Sequence, residues 1–261
     1  MIDPEIAACA ERVRLADPDR FAASLLAGPA DRAALWVLYA FNLEVARAPW
    51  ASEQPLIGQM RLQFWTDVLD GITAGTPPRA HEVAAPLARL AGERALPLDA
   101  LKALVAARER DALREPLADP VALNAYLEAT AGGLMWAAAR ALGAPQAAEG
   151  AVRDIGTAAG LASWLAAQPA LVARGWQPMP WADEDTLRSM AMGGLDRLAG
   201  GRQGRRQVPA RARPAVLAGW QAEGRLRRVR RDPSLVAAGG LEGSEFARRA
   251  GLAWRALTGL W

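Results

Sequence analysis

The chain has 261 residues, a formal net charge of +3 and a hydrophobic fraction of 52%, which is enough apolar material for one large domain with a sizeable core. One cysteine, Cys9, excludes an intramolecular disulfide or a cysteine-rich metal site, and one histidine, His81, excludes a multi-histidine zinc centre. Alanine, leucine and arginine dominate and β-branched residues are sparse, a balance that favours helices over strands.

Residues 1–10 carry acids and lack a basic start followed by an apolar core, so no secretory signal is expected and the chain reads as cytoplasmic. Pro29 and Asp31 open a helix predicted to run to about Arg47, where Pro49 stops it. A second helix is predicted over about 52–73, with Leu62, Trp65, Leu69 and Ile72 forming a buried stripe at helical spacing. His81 follows the loop Thr76-Pro77-Pro78 and reads as a satisfied surface histidine. Further helices are predicted at 81–93, 98–114, 121–142, 147–167, 184–198, 210–231 and 244–259.

Asp119-Pro120 is a start signal, an N-cap aspartate with proline at the first helical position, and Gly143 is a stop of the C-cap type. Pro169 is expected to end its helix early, and with Gln168 it interrupts the apolar stretch 156–173. No window then reaches the ~20 apolar residues that would span a bilayer. Gly200-Gly201 and Gly204-Arg205-Arg206 look linker-like, and a basic, mobile loop is expected near 200–207. Nothing alternates like a strand or repeats, so the chain reads as a single all-α domain over 1–261.

Charge is uneven. Between Arg197 and Arg231 lie eleven arginines against one acid, Glu223, which makes that segment +10 and the remainder −7. Arg205, Arg206, Arg211, Arg213, Arg227, Arg228, Arg230 and Arg231 are therefore candidates for a surface that docks an anionic membrane or an acidic partner. Nucleic acid is not an expected partner, because only Trp220 interleaves these arginines. Of ten tryptophans, Trp36, Trp50, Trp65, Trp136 and Trp164 fall in helical patterns and read as core. Trp176, Trp181, Trp220, Trp254 and Trp261 either pack in the same way or form an interfacial belt with the arginines.

One stretch carries more than composition. Leu38-Tyr39-Ala40-Phe41-Asn42, continuing to Trp50, resembles the first signature of the squalene/phytoene synthase family. Arg61-Leu62-Gln63-Phe64-Trp65, Tyr126 with Ala131-Gly132, and Ile155-Gly156 through Gly160-Leu161 resemble further family segments. The resemblance covers roughly 19–261 and implies a single-domain, isoprenoid-synthase-like helical bundle. In that family paired aspartates on two helices hold Mg²⁺, a hard cation that takes oxygen ligands and bridges substrate phosphates. Here Ala46, Arg47 and Trp50 fall on the first motif, and Ala166-Ala167 with Ala170-Leu171 fall on the second.

Within the family the likeness is greatest to the non-catalytic branch that contains the respiratory complex I assembly factor. That implies a protein peripheral to the inner membrane, with a respiratory-complex subunit or assembly intermediate as partner, no catalytic residue and no cofactor. Two alternatives stand beside it. One is a prenyl-diphosphate-condensing transferase with unconventional Mg²⁺ ligands drawn from Glu44, Asp67, Asp70 and Asp154. The other is a module that binds a prenyl lipid. The candidate pocket residues are Tyr39, Asn42, Glu44, Arg61, Gln63, Trp65, Gly132, Gly156 and Gly160. Arg61 is read either as a buried ion pair with Glu44 or as pocket lining for an anionic head group, and the glycines as close helix approaches or as cavity wall.

Overall fold

The computed structural model describes residues 3–243 and 245–258. Aspartate–proline pairs start the first two helices: Asp3 caps α1 (Pro4–Ala16) and Asp17 caps α2 (Pro18–Ser24), each carboxylate accepting a first-turn amide. Next come α3 (Pro29–Arg47), α4 (Pro55–Ala74), α5 (Ala84–Glu93), α6 (Leu98–Ala107), α7 (Glu109–Leu113) and α8 (Pro120–Leu127). A π turn, Glu128–Gly132, leads into α9 (Gly133–Ala141). The chain continues with α10 (Glu149–Ala173), α11 (Glu184–Gln203), α12 (Arg213–Leu217), α13 (Ala222–Arg231), α14 (Leu235–Ala238) and α15 (Glu245–Thr258). Among the described residues there is no strand, so the all-α reading holds.

Two helices organise the core. Every residue of α3 from Ala34 to Asn42 is buried, because α1, α2, α5 and α9 pack around it. Trp36 donates its indole N–H to the Ser24 hydroxyl at 2.9 Å, and Phe41 meets Trp65 of α4 edge-on at 5.3 Å. Helix α10 is the other axis, packed on α9, α11, α13 and the π turn. It meets the π turn closely enough that a Cβ at Gly156 would lie 2.9 Å from the Ala131 carbonyl, and one at Gly160 would lie 2.4 Å from Ala131 Cβ. Only glycine allows that approach.

Four expectations are corrected. The helix predicted at 98–114 breaks at Arg108, whose guanidinium turns inward to Asp111 and Tyr126. The one predicted at 210–231 breaks into a 3₁₀ turn (Ala210–Ala212), α12 and α13, with residues 218–221 turning between the last two. Pro169 does not end α10. It removes the amide that would bond the Leu165 carbonyl, while the neighbouring Gln168 donates its side-chain amide to the Trp164 carbonyl at 3.2 Å. Running on, Gln146–Ala173 is long and apolar enough to cross a membrane by length and composition, although half of its apolar window is buried inside the fold.

The fourth concerns 200–207, which is not a loose linker. Residues to Gln203 belong to α11 and Gly204–Gln207 form a 3₁₀ turn. A Cβ at Gly201 would lie 2.6 Å from Ile155 Cγ1, and one at Gly204 would lie 2.6 Å from Ala151 Cβ. The glycines that looked like linker are the places where α11 and its following turn press on α10.

Candidate functional site

A cavity of about 1410 Å³ opens between the C-terminal end of α3, helix α4, the π turn and α10. Its apolar part is supplied by Phe64, Trp65, Leu127 and Leu134. Trp164 forms a wall, stacked obliquely on Tyr126 at 5.1 Å. His81 also lines it, which corrects the surface reading. The imidazole is half-buried, packs edge-on against Trp65 at 5.1 Å, and accepts the Val83 amide through Nδ1 at 3.1 Å.

The positions where two carboxylate clusters were expected from the family pattern meet here. From α3 and the turn after it come Ala46, Arg47 and Trp50, and from α10 come Ala167 and Leu171, with Arg174 joining them from the end of that helix, outside the motif; Ala166 lines the neighbouring, smaller cavity. Ala170 is exposed and does not line the cavity. The lining carboxylates are Glu44 and Glu53, against the arginines Arg20, Arg47, Arg61, Arg108, Arg114 and Arg174. Glu44 is engaged by Arg12 at 2.5 Å. No acid lines the cavity from α10, so the two helices cannot clamp a divalent ion between carboxylates.

The other acids weighed as metal ligands are dispersed. Asp67 pairs with Arg79 at 3.0 Å, Asp70 with Lys102 at 2.7 Å, and Asp154 with Arg197 at 3.5 Å. Among the described residues no group of three or more His, Cys, Asp or Glu is placed to hold a metal ion.

Beneath the cavity lies a buried polar cluster. The Tyr126 hydroxyl donates to Asp111 Oδ2 at 2.8 Å, and Arg108 Nη1 donates to both, at 3.0 Å to the carboxylate and 2.6 Å to the hydroxyl. Burial pushes the Tyr126 phenol far above its ordinary pKa, against the pull of Arg108. It therefore stays protonated, donating to Asp111 while its oxygen accepts from Arg108 and holds that guanidinium in place. Arg114 adopts a left-handed backbone, φ 56°, and lays its guanidinium 3.8 Å from the Trp50 ring centre. That conformation is uncommon for a non-glycine residue. Burial, opposed by Asp111 and joined by the neighbouring Arg174, pulls Arg114 below the ordinary arginine pKa.

Of the pocket residues expected from sequence, Asn42, Glu44, Arg61, Trp65 and Gly160 line this cavity. Tyr39 and Gly156 line a smaller one of about 440 Å³ that shares Arg20, Leu134, Gly160 and Ala167 with the first. There the Tyr39 hydroxyl is buried without a hydrogen-bond partner among the described residues, and burial raises its pKa well above the ordinary phenol value. Gln63 lines neither; it is exposed and bonds Asp67 at 2.8 Å. Gly132 lines neither, and a Cβ there would lie 2.7 Å from Thr157 Oγ1, so it serves close packing. Arg61 is exposed and not buried, and its expected partner Glu44 belongs to Arg12.

Arg20, Arg108, Arg114 and Arg174 were missed. Arg174 stands seven residues after Ala167, two helical turns along the same face, which was a usable signal. Nothing local announces the other three.

The candidate surface arginines divide. Arg211 pairs with Asp31 at 2.7 Å, Arg227 with Glu223 at 2.6 Å, and Arg228 donates to the Leu241 carbonyl at 2.9 Å. Arg205, Arg206, Arg213, Arg230 and Arg231 are exposed and form no ion pair among the described residues. The interfacial belt is corrected: Trp176 and Trp220 are buried, and Trp181 donates to the Leu117 carbonyl at 2.6 Å. Trp254 is exposed, and Trp261 lies outside the described residues.

Comparison with known proteins adds three findings. A family model described as squalene/phytoene synthase matches residues 13–188. The bovine and human proteins named NADH dehydrogenase (ubiquinone) complex I, assembly factor 6, are each 30% identical over 162 residues, covering 62% of this chain and 48% of theirs. The mouse protein of the same name is 27% identical over 244 residues, 85% of this chain and 73% of its own. The chain thus spans about half the length of the first two relatives. Among solved structures, a dehydrosqualene synthase bound to a ligand superposes with a TM-score of 0.76 at 13% identity, over 98% of this chain and 96% of the other. Squalene synthase HpnC from Alicyclobacillus acidocaldarius gives 0.68 at 19% identity, over 95% and 94%.

Proposed function

The chain belongs to the squalene/phytoene synthase family, and on that premise we propose that it is a non-catalytic member that assists assembly of a respiratory, complex I-type assembly at a membrane surface. One observation carries the loss of catalysis: Ala46, Arg47 and Trp50 from the first motif and Ala167 and Leu171 from the second line the cavity where metal-binding carboxylates would stand. A Mg²⁺-dependent ionisation needs oxygen ligands around the diphosphate, and guanidinium, indole and methyl groups supply none. A fold by itself does not assign chemistry, so the synthase-like architecture does not restore the activity.

The assembly role is supported by the assembly factors it resembles. The membrane location is supported by the five exposed arginines that form no ion pair among the described residues, Arg205, Arg206, Arg213, Arg230 and Arg231, since such charge attracts anionic lipid headgroups. The partner is a subunit or intermediate of the complex.

The test is gene deletion followed by native-gel quantification of complex I and profiling of isoprenoid products. Loss of assembled complex with an unchanged isoprenoid profile is expected, and complementation with the intact gene should restore the complex. Normal complex levels, or a missing isoprenoid product, would overturn the reading and return the chain to the enzymes.

A further inference from the structure

Helix α15 (Glu245–Thr258) inverts the usual arrangement of a surface helix, which buries its apolar stripe and leaves its charges in water. Arg255 is half-buried and reaches Glu223 of α13 at 3.4 Å. On the same side, Gly251 approaches Trp220 so closely that a Cβ would lie 3.1 Å from the ring, and Leu252 packs on the core. The opposite side faces water: Ala250, Ala253 and Trp254 are exposed, Trp254 to 65%. In the sequence Phe246, Ala250, Ala253, Trp254 and Leu257 recur at spacings of four, three, one and three, which is one helical stripe. An apolar stripe that runs along the outside of a helix marks a surface built to be covered.

The neighbouring helices say by what. From Arg213 to Arg231, across α12, α13 and the turn that joins them, the single acid is Glu223. It already serves Arg202 at 2.7 Å and Arg227 at 2.6 Å as well as Arg255. Arg213 on α12, which packs against α15, and Arg230 and Arg231 at the end of α13 are exposed and form no ion pair among the described residues. An exposed indole flanked by uncompensated guanidinium groups fits the boundary between anionic headgroups and acyl chains, where both groups are favoured. Two copies of the chain meeting on this stripe would bring those arginines together, and the repulsion opposes self-association.

We propose that α15 is the element that enters the membrane, lying flat in the headgroup layer of an anionic bilayer with Ala253 and Trp254 inserted and the arginines of α12 and α13 on the surrounding phosphates. The inference rests on the membrane reading above and adds to it the inserted element, since the arginines alone supply attraction without insertion. An interfacial helix draws affinity from buried apolar area and from electrostatic attraction together, so the stripe and the charges contribute separately and are separable by substitution.

The full-length protein would carry an environment-sensitive fluorophore at Ala253→Cys or, for comparison, at Val121→Cys, an exposed apolar position on α8; the native Cys9 is buried. With vesicles of equal parts phosphatidylglycerol and phosphatidylcholine, the label at 253 should shift to the blue and be quenched by lipids brominated on the acyl chain. The label at 121 should do neither. In co-sedimentation with the same vesicles, Trp254→Ser, which leaves the net charge untouched, should weaken binding by about tenfold, a difference of roughly 1.4 kcal/mol. Val121→Ser should leave binding unchanged, and circular dichroism confirms that each variant is folded. Undiminished binding by Trp254→Ser, or a label at 253 that still reports water on bound vesicles, overturns the proposal and leaves the membrane reading standing on the arginines. Failure of the parent protein to bind these vesicles overturns both and assigns the stripe to a protein partner.

Discussion

Arg211 shows how a single side chain can mislead when it is read in one dimension. It sits among eleven arginines and looks like one more solvated charge, yet Nε and Nη2 each donate to the Asp31 carboxylate at 2.7 Å, and Arg94 approaches the same carboxylate at 3.2 Å. The pair ties the 3₁₀ turn before α12 to the first turn of α3. Hydrogen bonding from Arg211 holds Asp31 below its usual carboxylate pKa, with burial pulling the other way. A carboxyl whose folded pKa is depressed stabilises the fold above its unfolded pKa of about 3.9, and that contribution disappears as pH falls through the folded value. Arg211→Gln should therefore lower the urea midpoint at pH 7, and the gap from the parent protein should close as pH is taken toward about 3. A gap of constant size across that range would show that the variant acts through packing and not through the ion pair.

At the scale of elements, what was legible was what local chemistry dictates. Proline at the first position of α3 and the Asp119-Pro120 pair mark starts that the structure keeps, the latter with the Asp119 carboxylate accepting the Ala122 amide at 2.7 Å. The same dipeptide stands at Asp3-Pro4 and Asp17-Pro18, so α1 and α2 were readable by the same rule and were passed over. What could not be read locally were choices made by neighbours. The inward turn of Arg108 depends on Asp111 and Tyr126, and the passage of α10 through Pro169 depends on the packing around it. The glycines of α11 make the distinction testable. A Cβ at Gly200 would meet nothing within 4 Å, whereas one at Gly201 would lie 2.6 Å from Ile155 Cγ1 and 2.9 Å from the Ala151 carbonyl. Gly200→Ala should be neutral or stabilise by up to ~1 kcal/mol through helix propensity. Gly201→Ala should destabilise by roughly 1–3 kcal/mol through overpacking. Equal effects in chemical denaturation would mean that the α10–α11 contact is looser than the structure has it.

For the whole molecule, the location of the site was legible and its chemistry only half so. The family resemblance set Ala46, Arg47 and Trp50 against Ala166, Ala167, Ala170 and Leu171, and the fold brings all of these but Ala166 and Ala170 to one cavity. The arginines that give the cavity its sign come from α2, the end of α3, α4, the break between α6 and α7, the end of α7 and the end of α10, and only the three-dimensional arrangement gathers them. Outside the cavity, the +10 segment resolves into arginines that hold the fold and arginines that face water, and this split makes the membrane reading specific. If the segment acts as a uniform basic stretch, every arginine in it contributes alike to binding anionic vesicles. If exposed, unpaired charge does the docking, Arg205→Gln/Arg206→Gln/Arg213→Gln and Arg230→Gln/Arg231→Gln should abolish most co-sedimentation with phosphatidylglycerol vesicles at an ionic strength of about 0.1 M and leave the melting temperature near that of the parent. Arg225→Gln, which loses a 2.8 Å pair with Glu242, should lower the melting temperature while binding persists. Each Lys or Arg near an anionic surface is worth about 1 kcal/mol, so removing five should lower vesicle affinity far beyond the scatter of the assay. Retained vesicle binding in the five-site variant would place the docking surface elsewhere, with the exposed apolar side chains Leu56, Met60 and Val172 as the next to substitute.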